Sequence, residues 1–193
     1  MARLFSIKPT LTMKGRKFKG LRGFAGKPFH PPLTDIPVAC YLMVAVFDLI
    51  SYISYSRNEE STLARDFFIS GTHVLVVGAI VTVPTILTGF WDWLKSTPAR
   101  SQVWRTANVH MAIMLTMSML VAANLLLRLG YWEGGYSELM VTVLSVIIGT
   151  MVTVGAAYGG AMVYEYSFNV ETLDGRVYEE REEDVYPYDK KET

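Results

Sequence analysis

The chain has 193 residues, 51% of them hydrophobic, a formal net charge of zero and a mean hydropathy of +0.26. The apolar residues are gathered in four long blocks rather than spread at amphipathic periods, which is the pattern of a polytopic membrane protein and not of a soluble domain. Cys40 is the only cysteine, so an intrachain disulfide and any cysteine-held cluster are excluded, and the thiol reads as a small core residue.

In chain order, residues 1–33 form a basic arm with eight Lys or Arg before the first block. No signal peptide is visible, because the arm lacks a continuous apolar stretch. Its prolines, Pro28, Pro31 and Pro32, argue against regular helix before the first span. Thr34 then reads as an N-cap, with Asp35 in the first turn and Pro37 tolerated there. The spans follow as Ile36–Ile53, Phe67–Trp93, Val109–Leu127 and Leu139–Tyr164, each near or above the ~20 residues that cross hydrocarbon as a helix. Pro84 should bend the second span. Gly155 and Gly159, with Gly160 and neighbouring alanines, suit close helix packing inside the bundle in the fourth.

Beyond Tyr164 the chain turns polar and acidic, with an Asp174-Gly175 pair that suggests a short β-hairpin, followed by either a disordered acidic tail or a docking strip for another subunit. The expected fold is an all-α, four-transmembrane-helix bundle at 34–166, flanked by the arm and by a tail at 167–193. No internal repeat is legible. Basic residues are concentrated in the arm and in the loop holding Lys95, Arg100 and Arg105, which places both termini in the cytoplasm of a multi-pass cell (inner) membrane protein. Anionic lipid or an acidic partner fits the arm better than nucleic acid does.

Ionisable residues inside spans are expensive and mark partnering or function. At ~1.5 Å of rise per residue, Asp48 lies ~10 Å before the end of span one and His73 ~9 Å after the start of span two, so the two share a depth near the outer face and should pair if their helix faces agree. A second layer, His30, Asp92 and His110, converges at the cytoplasmic side. In span three, His110, Met114, Met117, Val121, Asn124 and Arg128 recur near whole turns and should face the bundle interior. His30 and His110 are the one histidine pair with the depth for bis-imidazole ligation of haem b. A metal held by His30, His110 and Asp92 is chemically admissible but matches no known ligand spacing. Phosphate loops, nucleophile elbows and zinc-protease motifs are absent from the sequence, so a hydrolase or nucleotide enzyme is not indicated.

Several separated segments resemble one family. Gly26-Lys-Pro28-Phe-His30-Pro31-Pro-Leu-Thr34-Asp35-Ile-Pro37, Thr88-Gly89-Phe-Trp-Asp92-Trp93 and Gly159-Gly160-Ala-Met-Val163-Tyr164 are similar to the signatures of the bacterial membrane proteins called domain of unknown function 2231. That resemblance implies a four-helix membrane fold without an established activity. Some members are fused to Rieske iron–sulfur domains, which implies electron-transfer company, although a single cysteine cannot ligate such a cluster here. The expectation is an accessory subunit of a respiratory or other electron-transfer complex, with the His30/Asp92/His110 layer binding a quinone headgroup, haem or lipid. Its rivals are a stand-alone b-type cytochrome or redox enzyme, and a small proton-coupled transporter using Asp48 and His73.

Overall fold

The computed structural model describes residues 28–169. Among these it holds four helices and no strand element: α1 (His30–Arg57), α2 (Thr62–Ser96), α3 (Gln102–Gly130) and α4 (Leu139–Tyr164). All four are long and apolar enough to cross a membrane. The arm before Pro28 and the expected hairpin around Asp174 lie outside the described residues.

Local chemistry sets the helix ends. The hydroxyls of Ser61 and Ser101 cap α2 and α3, accepting from the N–H groups of Ala64 and Trp104 at 3.3 and 3.1 Å. The start of α1 differs from expectation: it begins at His30 with Phe29 as the cap residue, and Thr34 is one turn inside, its hydroxyl donating to the Pro31 carbonyl at 2.7 Å. Pro31 and Pro32 are accommodated because the first helical N–H groups have no intrahelical acceptor. Asp35 consequently stands outside the first turn and is exposed. On α2 the helix continues through Pro84 from end to end.

The helices form an up-down-up-down ring. α1 packs on α2 and α4, and α3 on α4 and α2, while the diagonal pairs make no close backbone contact. The α2–α3 seam is the loosest of the four. Inward positions recur at alternating steps of three and four residues, as in Pro37, Tyr41, Val44, Asp48 and Ser51 on α1 or Met117, Val121, Asn124 and Arg128 on α3, the spacing of a left-handed bundle. The central layers are Tyr41, Val44, Leu75, Met117, Val121, Ile148 and Val152. Tyr41 keeps its hydroxyl satisfied there by Thr82 Oγ1 at 2.6 Å.

These inward positions also disclose a repeat. On α3, Met117, Val121, Asn124 and Arg128 stand 80 residues after Pro37, Tyr41, Val44 and Asp48 on α1, and all eight are buried. On α4, Val141, Ser145, Ile148, Val152 and Gly155 stand 70 residues after Gly71, Leu75, Gly78, Thr82 and Thr85 on α2, again all buried. The molecule is therefore two α-hairpins related by a pseudo-twofold axis along the bundle. The first hairpin is longer: α1 continues nine residues past Asp48, whereas α3 stops two residues past Arg128. The 131–138 connection folds under this overhang, with Tyr136 stacked face to face on Tyr55 at 3.4 Å and Trp132 against Phe68 at 5.9 Å.

Candidate functional site

Two polar constellations sit on the pseudo-twofold axis at opposite ends of the bundle. At the overhang end, Asp48 of α1 and Arg128 of α3 form an ion pair across the diagonal, both almost wholly buried. Every element contributes to it. Asp48 Oδ1 accepts from Ser137 Oγ at 2.6 Å, and Oδ2 accepts from Ser145 of α4 as well as from Arg128 Nη2. Arg128 Nε donates to Asn124 Oδ1 at 2.8 Å and Nη1 donates to Thr72 of α2 at 2.9 Å. Asn124 then donates to Ser145 Oγ at 2.9 Å and to the Val141 carbonyl at 3.2 Å. Ser51 closes the network by donating to the Ala64 carbonyl at 2.7 Å and accepting from the Ser137 N–H at 3.0 Å. Gly71 leaves room for it, since a Cβ there would touch Asp48 Oδ1 at 3.4 Å.

This arrangement corrects the expected Asp48–His73 pair. The two share a depth, but the inward stripe of α2 runs through Phe68, Gly71 and Leu75, and His73 lies about half a turn away, exposed on the outside. Arg128 had been placed on the inward face of α3 by its spacing, whereas its role as the counter-charge followed only from the way the helices are arranged.

The second constellation lies five turns away on the same helices. His30 precedes Asp48 by 18 residues and His110 precedes Arg128 by 18, which is five whole helical turns and about 27 Å of rise. Because Asp48 and Arg128 meet across the diagonal of two parallel helices, His30 and His110 share a depth and a facing at the other end.

Each ring is held in the same way by the second helix of its own hairpin. His30 Nδ1 donates to the Thr85 carbonyl at 3.0 Å, with Thr88 Oγ1 at 3.3 Å, and His110 Nδ1 donates to the Gly155 carbonyl at 2.8 Å. One turn beyond each carbonyl is a glycine on which the ring rests. A Cβ on Gly89 would fall 2.6 Å from His30 Cε1, and one on Gly159 would fall 3.4 Å from His110 Cε1. A carbonyl only accepts, so Nδ1 carries the proton on both rings and Nε2 is left with its lone pair. No hydrogen bond to Nε2 is made by the described residues named at this end.

Asp92, the third expected member of this layer, is buried at the same end of α2. Among the described residues no three His, Cys, Asp or Glu side chains converge as a metal-holding group, so the trio does not form one. Gly155 and Gly159 pack against Met114 and His110 of α3, inside the bundle, while Gly160 meets only Tyr164 of its own helix. Trp93 Nε1 donates to Asn108 Oδ1 at 2.9 Å, tying α2 to α3 beside the histidines.

No curated protein and no solved structure matches the chain. A family model described as predicted membrane protein matches residues 26–172, a stretch that takes in all four spans, both polar constellations and the segments around His30, Asp92 and Gly159. With that match over most of its length, the chain belongs to the DUF2231 family of predicted membrane proteins.

Proposed function

We propose that this protein is an integral-membrane subunit of an electron-transfer assembly, with a redox group held at its histidine end and partner subunits engaged through the segments that flank the bundle. The observation that carries the reading is the paired imidazoles, each oriented through Nδ1 by a backbone carbonyl and neither with a hydrogen bond to Nε2 among the described residues. A ring whose second nitrogen is fixed in this way is a prepared ligand rather than filler. Charged and ionisable groups kept within a membrane bundle are functional by default, and the Asp48 group has a complete structural explanation that the histidines lack.

The positive-inside distribution supports a cytoplasmic location for both termini and hence for the histidine end. A transporter built on Asp48 and His73 loses its basis, because that pair does not form. The test is isolation from native membranes in a mild detergent. Co-migration with a subunit carrying haem, flavin or an iron–sulfur cluster, weakened in His110→Ala, is the expected result. Wild-type protein that migrates alone, with no redox-active partner and no chromophore, would overturn the proposal.

A further inference from the structure

We infer that the histidine end is a bis-imidazole haem site, in which Nε2 of His30 and Nε2 of His110 take the two axial positions of one b-type haem lying between the hairpins. This rests on the reading of the protein as a membrane redox subunit and names its ligand.

Three features of the site select this class of ligand. A bare metal ion needs three or four donors, and the described residues supply no converging third carboxylate, thiol or imidazole. An oxidised quinone presents carbonyl acceptors and so requires N–H donors, whereas the Thr85 and Gly155 carbonyls fix the tautomer in which both Nε2 atoms offer lone pairs. Haem iron inside a porphyrin takes two such lone pairs from opposite sides, and helical bundles hold haem in their cores by ligands from facing helices.

Symmetry adds a fourth point. The carbonyl-plus-glycine cradle is repeated at Thr85/Gly89 and Gly155/Gly159, so the pseudo-twofold axis passes between two equivalent rings, the symmetry of a six-coordinate bis-imidazole centre. Each ring is held within its own hairpin, so a haem bound by both would join the two hairpins. The polar residues Thr85 and Thr88 hold the ring rather than the iron, as outer partners of ligating histidines do.

The experiment uses the full chain, produced without its native partners, purified in detergent and incubated with haemin. One haem per chain, with a low-spin oxidised spectrum and sharp α and β bands on dithionite reduction, is expected, together with loss of those bands in His30→Ala and His110→Ala. Exogenous imidazole should restore the spectrum in His110→Gly. Electron paramagnetic resonance of the oxidised wild type reports the bis-imidazole ligation without recourse to any variant. A folded wild type that stays colourless, a high-spin signal, or a spectrum unchanged in both alanine variants overturns the inference. Colourless protein that still co-migrates with redox subunits in native membranes removes the haem and leaves the subunit role intact, and colourless protein that migrates alone removes both.

Discussion

Removing one partner of the Asp48–Arg128 pair should destabilise the bundle, and by unequal amounts depending on which partner is removed. In Asp48→Asn the guanidinium stays inside the bundle with its charge uncompensated, and arginine does not deprotonate in proteins. Breaking a buried pair in this manner costs about 3–5 kcal/mol. In Arg128→Met the remaining carboxylate can take up a proton and keep Ser137 and Ser145 as partners. The loss is then that of a charged hydrogen bond, about 1.5–3 kcal/mol.

Within a membrane environment the unfolded state also finds partners, so the lower ends of both ranges apply, giving about 3 kcal/mol for Asp48→Asn and about 1.5 kcal/mol for Arg128→Met. The double variant Asp48→Asn/Arg128→Met should be more stable than Asp48→Asn alone, because it removes the stranded charge. Unfolding in mixed detergent micelles with rising dodecyl sulfate, followed by far-ultraviolet circular dichroism and by the fluorescence of the four tryptophans, measures all three. Equal losses in the two single variants, or a double variant weaker than Asp48→Asn, would refute the argument that a stranded guanidinium dominates the cost.

Other expectations are smaller in scope. Gly89→Ala should displace the His30 ring, whose Cε1 is 2.6 Å from the added methyl, and abolish low-spin haem binding, whereas Gly159→Ala at 3.4 Å should be tolerated; spectra of haemin-treated variants compare them directly. Tyr41→Phe removes the hydrogen bond that the phenol donates to Thr82, whose own hydroxyl still donates to the Gly78 carbonyl, and should cost about 1 kcal/mol in the same unfolding assay, with haemin binding unchanged. Tyr136, in the connection outside the spans, donates to Glu138 Oε1 at 2.6 Å, and the nearby carboxylate holds its phenol above the ordinary tyrosine range. Its folded value is raised, so the stabilisation is fully present below the usual tyrosine pKa of ~10 and is lost only as pH rises through the folded value. In ultraviolet difference titration, Glu138→Gln should bring one tyrosine back toward the ordinary range, and identical titrations of the two proteins would rule out this pairing.

Depth along each helix was legible in the sequence, and facing was legible only in part. Spacing alone put Met117, Val121, Asn124 and Arg128 on one inward stripe of α3, and rise per residue placed His30 and His110 at a common level. What it could not supply was azimuth on a neighbouring helix. His73 has the right depth for Asp48 and the wrong side of α2, a difference of two residues that a depth argument does not register. The repeat was hidden for a chemical reason: equivalent positions keep burial and exchange identity, so that Tyr41 answers to Val121, Val44 to Asn124, and Asp48 to a residue of opposite charge. Opposite charges at equivalent positions are what lets the two halves bond across their axis, and they are also what erases similarity between the halves. The start of α1 at His30 was obscured because prolines that end a helix at its interior are welcome in its first turn.

The diagonal ion pair also bears on how the protein is made. Asp48 enters the membrane with α1, but its counter-charge is 80 residues further along the chain, and the serines that share the load come later still, at 137 and 145. Synthesis therefore passes through a stage in which a completed first hairpin carries a carboxylate with no cation beside it. A chain that ended after α2 would lack Arg128, Ser137 and Ser145, all of Asp48's partners, and is expected to be less stable than the full bundle.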